Sequence, residues 1–260
     1  LYFLNLMKKK PLILVTNDDG INAPGLRILI KLMHKIGDVF VVAPNKPRSG
    51  CSHSISINSI IYCRQIKSEI LNIKEYECSG TPADCVKIAV NELMTRKPDL
   101  CVSGINHGSN SSINVLYSGT MSAAIESGVQ GIPSIGFSIL NHSWSADFNP
   151  IIPFVEKIVK KSILNKISPQ TILNVNFPSS KKINGIKICK QAKTHWNEKF
   201  IKRKSPMGER YYWLSGDFII EDNSEDSDEW ALANGYVSIV PTHFDYTNYG
   251  LINKLKRWDL

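Results

Sequence analysis

The sequence contains no apolar run close to the roughly 20 residues that a transmembrane helix needs, so a membrane-spanning protein is excluded. Its six cysteines lack both the C-x-x-C spacing of zinc knuckles and the rhythm of a disulfide framework. We therefore expect reduced thiols and a cytoplasmic location. The six residues before Met7 lack the length and the cleavage site of a signal peptide and are left out of the fold prediction.

Several common catalytic motifs are missing as well. The first predicted strand, residues 12–16, is not followed by G-x-G-x-x-G, and the chain has no G-x-x-x-x-G-K-[ST], which removes the main support for dinucleotide-binding and P-loop proteins. It also has no G-x-S-x-G nucleophile elbow and no D-x-D after the first strand. The chemistry must therefore be carried by other residues.

The composition is that of a globular protein, with 43% hydrophobic and 21% charged residues in a chain of 260. This length suffices for one large α/β domain with an appendage. The net charge of +8 is unevenly spread, because residues 181–210 hold ten basic and two acidic residues, whereas residues 217–229 hold no Lys or Arg. We interpret this pattern as a solvated hairpin arm, and a nucleic-acid surface is the less favoured alternative.

From residue 11 to about 140, predicted strands alternate with predicted helices, two of which begin at a proline after Ala23 and Thr81. The alternation predicts a parallel sheet with helices on both faces, a Rossmann-like three-layer α/β fold. Two further strand-like runs, at 55–62 and 76–78, indicate an inserted antiparallel excursion. The predicted strands are 12–16, 39–43, 100–103 and 133–138, and the predicted helices are 24–36, 82–96 and 120–128.

Beyond residue 141 the pattern is weaker. We expect a core domain at 7–178, to which a strand near 235–240 returns, and a C-terminal extension at 179–260. The apolar residues of the last predicted helix should dock on the core or on a second subunit. The remaining predicted elements are a helix at 151–163, strands at 172–176, 211–214 and 236–240, and a helix at 248–256.

Asp18 and Asp19 directly follow the apolar first strand. Two adjacent carboxylates are tolerated if they are solvated, if one is protonated, or if a cation lies between them. The loops at 44–54 and 103–110 leave the carboxyl ends of other predicted strands, so they meet the aspartates at one sheet edge. Their hard oxygen donors favour magnesium, manganese or calcium over zinc.

Residues 118–120 lead directly into a predicted helix, whose free N–H groups and dipole are suited to bind phosphate. An ordinary Ser/Thr N-cap is the alternative. For the loop at 103–110, whose small and amide residues are also typical of turns, an ordinary turn is the alternative interpretation. Arg48 is a candidate contact for an anion, and His107 is a candidate donor to a leaving oxygen, although a structural role for a lone histidine is favoured.

Six segments match one known family in a single order over nearly the whole chain: 13–20, 43–45 with 48–50, 79–86, 103–106, 117–120, and 235–239 followed by Pro241. In these segments the chain resembles the SurE family of stationary-phase survival proteins, which are metal-dependent 5'-nucleotidases. The resemblance implies hydrolysis of nucleoside 5'-monophosphates, and of 3'-monophosphates as a further option. It also implies one Mg²⁺ or Mn²⁺ per subunit, and a homodimer or homotetramer with exchanged C-terminal segments.

The resemblance also implies roles for individual residues. The implied metal ligands are Asp18, Asp19, Ser49 and Asn106. The implied phosphate contacts are Asn110, Ser118, Gly119 and Thr120. To these we add three expected substrate contacts, Asn17, Gly50 and His107. Catalytic roles are expected for Asp18, Asp19, Asn110 and Ser118.

Several alternatives stay open at this point. The attacking group is either a water activated by the cation or the carboxylate of Asp18 or Asp19. The activity is either that of a nucleotidase or that of a broader phosphomonoester or exopolyphosphate hydrolase. A non-catalytic protein that binds nucleotides or nucleic acid through the basic arm is the rival from another class. Nucleic acid is the less expected partner, and no membrane partner is expected.

Overall fold

The computed structural model describes residues 10–222 and 224–258, so the six residues before Met7 lie outside the described part. Strands and helices alternate through the first two thirds of the chain, followed by a long hairpin. In chain order the elements are β1 (Leu12–Thr16), α1 (Pro24–His34), β2 (Asp38–Pro44), β3 (Cys63–Ile66), β4 (Lys74–Cys78), α2 (Pro82–Ile88), β5 (Leu100–His107), α3 (Gly119–Val129), β6 (Ser134–Ile139), α4 (Ile152–Leu164), β7 (Ile172–Phe177), β8 (Ile186–Ile188), β9 (Thr194–Lys204), β10 (Arg210–Ile220), α5 (Asp228–Ala233), β11 (Val237–Thr242) and α6 (Tyr249–Leu255).

Nine strands form one sheet in the order β3-β4-β2-β1-β5-β6-β7-β11-β8. The six strands from β4 to β7 in this order are all parallel to their neighbours. Strand β11 joins β7 in antiparallel fashion, so the predicted strand near 236–240 does return to the sheet. Because β1 lies between β2 and β5, the strand order reverses beside it, and the crevice at such a point is where α/β sheets bind ligands.

Both faces of the sheet are covered, which explains why the central strands are apolar throughout. In β1 the side chains of Ile13, Leu14 and Val15 are fully buried on alternate faces. Helices α1 and α4 pack together on one face, where Leu26 and Met33 join the larger core cluster, and α2 and α3 pack together on the other face. The predicted three-layer α/β fold is confirmed.

The helix predicted at 82–96 is too long. Its start is confirmed, since the Thr81 hydroxyl accepts a hydrogen bond from the Asp84 N–H at 3.1 Å and the Asp84 carboxylate accepts one from the Thr81 N–H at 2.9 Å. The α-helix ends at Ile88, and one π-helical stretch, Ala89–Leu93, follows.

The strand predicted at 55–62 is wrong. The apolar side chains of Ile57 and Ile60 are mostly exposed, and the strand begins only at Cys63. The Ser56 N–H and hydroxyl both donate to the Asp84 carboxylate, at 3.1 and 2.7 Å, so this segment is held as a loop over the start of α2. Strand β4 pairs antiparallel with β3 but parallel with β2, so within the predicted excursion β3 alone runs antiparallel to the central strands.

The β9–β10 arm, residues 194–220, forms a separate two-stranded sheet with eleven residue pairs. The hairpin expected in the basic region is therefore confirmed, and the strand predicted at 211–214 is longer than predicted. In α6 no described residue is buried, so docking of the last helix on the core is not seen, and docking on a second subunit stays a prediction. The division of the chain at residue 178 also stays a prediction. Among the described residues, every helix is too short or too polar to cross a bilayer.

Candidate metal centre and phosphate site

Asp18 and Asp19 lie at the carboxyl end of β1, with Asp18 buried and Asp19 half-buried. The Thr120 hydroxyl donates to the Asp18 carboxylate at 2.5 Å, and the His107 N–H donates to that of Asp19 at 3.3 Å. Burial, together with the charge of Asp19, raises the pKa of Asp18 to about 6, and burial also raises the pKa of Asp19. The pair therefore carries negative charge that these two hydrogen bonds do not fully compensate.

The first turn of α3 packs directly against Asp18. A β-carbon on Gly119 would lie 2.7 Å from the Asp18 β-carbon, so only glycine permits this approach. Ser118 is the N-cap, and its hydroxyl oxygen accepts a hydrogen bond from the Met121 N–H at 3.0 Å. The free N–H groups at the start of α3 thus lie beside the carboxylate pair.

Ser49 is held close to Asp18 through the backbone of its neighbour. The Arg48 N–H donates to the Asp18 carbonyl oxygen at 2.7 Å, and the Arg48 guanidinium donates to the carbonyl oxygen of Ser79. Ser49 and Gly50, which follow, are exposed. This arrangement brings the loop of β2 to the tip of β1, as its strand order requires.

Asn106 lies near the end of β5, where the pairing with β6 is irregular between Ser103 and Asn106. Such a bulge redirects the side chains that follow it. The backbone at Gly104 has φ of +126°, and a β-carbon there would lie 2.3 Å from the Phe137 carbonyl oxygen. The Asn106 amide nitrogen donates to the Gly108 carbonyl at 2.9 Å, which leaves its amide oxygen for a ligand.

The ring of His107 is bound by the loop that follows β6. Because a carbonyl oxygen only accepts, the 2.8 Å contact with the Ser143 carbonyl places the ring hydrogen on Nδ1. Burial lowers the pKa of His107, which favours the neutral ring, and in that ring Nε2 is an acceptor. A role for His107 as a donor to a leaving oxygen stays a prediction.

Asn110 is buried in a network of polar side chains at the ends of β6 and β7. Its N–H donates to the Asn176 amide oxygen at 2.9 Å, its amide nitrogen donates to the Ser138 hydroxyl at 2.8 Å, and its carbonyl accepts from the Asn174 amide at 2.8 Å. The sequence prediction missed these three partners. Their signal was the alternation Asn174-Val175-Asn176, since asparagine is depleted in strands.

The donor set fits a hard divalent cation. The amide oxygen of Asn17 is buried without a hydrogen-bond partner, while its amide nitrogen donates to the Gly20 carbonyl at 3.0 Å. Carboxylate, hydroxyl and amide oxygens are the ligands that Mg²⁺ and Mn²⁺ prefer. Across residues 10–222 and 224–258, no three or more His, Cys, Asp or Glu side chains cluster as a metal site, which disfavours a thiolate and imidazole centre.

Most of the predicted site residues thus lie close together in the structure. Asp18 contacts Gly119 and Thr120, and Asp19 contacts His107. Ser49 follows Arg48, whose N–H binds the Asp18 carbonyl, and Asn106 precedes His107, whose N–H binds the Asp19 carboxylate. Asn17 directly precedes Asp18. Asn110 is held by its own network on the far side of β5. The roles of all these residues stay predictions.

Known proteins resemble the chain over nearly its whole length. A sequence model of the family described as "Survival protein SurE" matches residues 13–198. The chain belongs to the SurE family. Among its SurE relatives, the protein named "5'-nucleotidase SurE" from Flavobacterium johnsoniae is 59% identical over 254 residues, which cover 97% of this chain and 98% of that protein.

More distant members of the SurE family match equally completely. The "5'-nucleotidase SurE" of Bacteroides fragilis is 47% identical over 97% of this chain and 99% of that protein. The crystal structure of the SurE protein from Aquifex aeolicus superposes with a TM-score of 0.80 at 37% identity, covering 95% of this chain and 98% of that one. The SurE fold therefore extends through the C-terminal region as well as the sheet.

Proposed function

We propose that this chain is a divalent-metal-dependent 5'-nucleotidase, which hydrolyses nucleoside 5'-monophosphates to nucleoside and phosphate. One observation carries the proposal: the N-terminus of α3 packs directly against the buried carboxylate of Asp18. A site for an anion and a site for a cation are thereby in contact. A phosphate ester held at such a junction meets positive charge from both sides. The names of the relatives agree with this substrate class.

Four residues would hold the cation: Asp18, Asp19, Ser49 and Asn106. A divalent cation, when bound, neutralises charge on the phosphoryl group and acidifies water. The protein supplies two carboxylates whose mutual repulsion and burial already disfavour their ionised forms without a counter-charge. Mg²⁺ or Mn²⁺, one per subunit, suits these oxygen donors best.

The phosphoryl oxygens would be held by α3 and by Asn110. The Ser118 hydroxyl oxygen already accepts from Met121, so its hydrogen is available to donate outward. The Thr120 hydroxyl donates to Asp18, so Thr120 would contribute its N–H instead. Asn110 uses one amide hydrogen on Ser138, which leaves the second for a phosphate oxygen. Such prepositioned donors stabilise charge that develops in the transition state.

The proposal is tested with AMP and GMP in the presence of Mn²⁺ or Mg²⁺. We expect phosphate release that EDTA abolishes, and Asp19→Asn should lower kcat/KM by at least about 100-fold because it removes a charged ligand. Calorimetric titration with Mn²⁺ in the absence of substrate should show that Asp19→Asn also lowers the affinity for the metal.

Asp38→Asn is the matched control, because this exposed aspartate lies at the opposite edge of the sheet, where it pairs with Lys10. It should behave like the wild-type protein. Phosphate release that persists in EDTA and in Asp19→Asn would refute the metal-dependent mechanism.

The alternative function, binding of nucleic acid through the basic region at 181–210, has less support. Several of its cations are paired with the acidic residues that follow: Lys190 lies 3.1 Å from Asp226, Lys193 lies 2.6 Å from Glu221, and Lys199 lies 3.1 Å from Asp217. Binding to RNA that survives Asp19→Asn and falls steeply with salt would favour the rival. A panel of phosphoesters and polyphosphate would separate a nucleotidase from a broader hydrolase.

Three further expectations belong to this proposal. The substrate partner is a nucleoside monophosphate, and the assembly is a homodimer or homotetramer, as the family resemblance implies. We also expect a cytoplasmic location, as the cysteine spacing suggested. Light scattering of the purified chain tests the assembly directly.

A further inference from the structure

The loop after β6, residues 140–149, lies at the same sheet edge as the aspartate pair and presents an exposed tryptophan there. The Trp144 ring is 55% exposed and stacks on His107, with ring centres 5.5 Å apart and an interplanar angle of 21°. The N–H of His107 donates to the Asp19 carboxylate. A single exposed aromatic residue is ordinary, but this one is separated from the carboxylate pair by one residue.

This loop is held in place on both sides of Trp144. The Ser143 carbonyl accepts from His107 at 2.8 Å and from the Ala146 N–H at 3.0 Å. Phe148 is buried and packs edge-on against the His107 ring at 5.4 Å. The indole is therefore presented in a fixed position, and a ligand that stacks on it does not have to order a mobile segment.

We propose that Trp144 is a stacking surface for the nucleobase of the substrate. The inference rests on the proposed nucleotidase function and extends it to the part of the substrate that does not react. One ring face of Trp144 is covered by His107, so its exposed surface is the opposite face and the ring edge. Aromatic stacking accepts every base, because every base has a π-face, and the larger purines gain more than pyrimidines.

The test compares a substrate that has a base with one that lacks it. For Trp144→Ala we expect kcat/KM for AMP to fall about 5- to 150-fold, which corresponds to the range measured when a stacking residue is truncated. The loss should appear mainly as a higher KM, since stacking is equal in the ground and transition states. Hydrolysis of ribose 5-phosphate should be unchanged, and Trp144→Phe should recover most of the AMP activity.

Trp258→Ala is the matched control, because Trp258 is 58% exposed and lies in the C-terminal segment outside the sheet. An equal loss on AMP and ribose 5-phosphate would overturn the proposal and make Trp144 a support for His107. If Trp144→Ala and the wild-type protein have the same kinetics on both substrates, the proposal is overturned as well.

Calorimetric binding of adenosine separates this inference from the proposed function. If the wild-type protein hydrolyses neither substrate, the nucleotidase function fails, whereas adenosine binding that Trp144→Ala weakens still supports the stacking surface. Adenosine binding that does not depend on Trp144, or that is absent, overturns it.

Discussion

The edge of the sheet that carries Asp18 and Asp19 holds its charged groups in the interior, whereas the β9–β10 arm holds its charges in solvent. At the sheet edge, Asp18, Asn110 and Thr120 are all buried, and each is bound by a specific partner. On the arm, Lys199 and Asp217 pair at 3.1 Å but both remain mostly exposed. Polar side chains are thus buried at the sheet edge and exposed to solvent on the arm.

This difference predicts where substitutions matter. A buried polar group that loses its partner costs about 1–3 kcal/mol, whereas exposed ion pairs contribute little. The arm has eleven residue pairs and no core of its own, and an isolated two-stranded hairpin is only marginally stable in water. Its exposed aromatic residues therefore contribute little to the stability of one chain.

Asp228 connects the two regions and gives the largest expected effect on stability. Its fully buried carboxylate accepts hydrogen bonds from the N–H groups of Ser112 at 2.7 Å, Ala192 at 2.9 Å and Glu229 at 2.9 Å. Asp228→Ala leaves these donors without an acceptor and should lower the free energy of unfolding by about 3 kcal/mol. Urea denaturation measures this change, and nucleotidase activity should fall because the Asn110 loop loses its anchor.

Asp226→Ala is the control for Asp228→Ala, since Asp226 is exposed and pairs only at the surface, with Lys190. Its denaturation midpoint should equal that of the wild-type protein. If Asp228→Ala does not accumulate as folded protein, Asp228→Asn keeps the shape and should show a smaller loss. Equal midpoints for Asp228→Asn, Asp226→Ala and wild type would contradict the anchoring role.

Glu126 on α3 and Glu221, which directly follows the arm, each pair with one lysine and one histidine, which allows a direct comparison. Glu126 is buried and accepts from His53 at 2.9 Å and Lys87 at 2.8 Å. Burial raises its pKa, but these hydrogen bonds and that of Gln130 outweigh burial and lower the pKa to about 2. The carboxylate therefore stabilises the fold above pH 4.5, and this contribution is lost as the pH falls toward 2.

We expect Glu126→Gln to lower the free energy of unfolding by about 2 kcal/mol at pH 7. The difference from the wild-type protein should shrink between pH 4.5 and 2, which urea titrations at several pH values will measure. Glu221→Gln should leave stability unchanged at pH 7, because Lys193 and His195 remain solvated. Equal effects of the two substitutions would show that burial is not the deciding difference.

The parts of the fold that sequence predicts well are those set by local pattern. The apolar run of β1 and the proline and threonine at the start of α2 have their causes within a few residues. The meeting of the loops at 44–54 and 103–110 with the aspartates followed from strand order, because parallel strands end at one edge. These elements needed no knowledge of distant partners.

The parts that were missed depend on distant contacts. Asn110 binds Asn176, which lies 66 positions away, and the partner of the Ser112 N–H lies 116 positions away. The run at 55–62 has the alternation of a strand, yet Ser56 binds Asp84 and keeps the run out of the sheet. Local pattern does not contain such partners, so residues that position the site are harder to predict than those that form it.

The smallest effect on the stability of one chain is expected for the arm. Trp213 on β10 is 64% exposed, so Trp213→Lys should change the free energy of unfolding by less than about 0.5 kcal/mol at low protein concentration. If the arm is covered by a second subunit, as the family resemblance implies, the same substitution buries a lysine and should lower the mass measured by light scattering. Leu71→Lys, at a more exposed position in the loop before β4, should not alter the mass. An oligomer of unchanged mass in Trp213→Lys would show that the exposed face of β10 is not the contact between subunits.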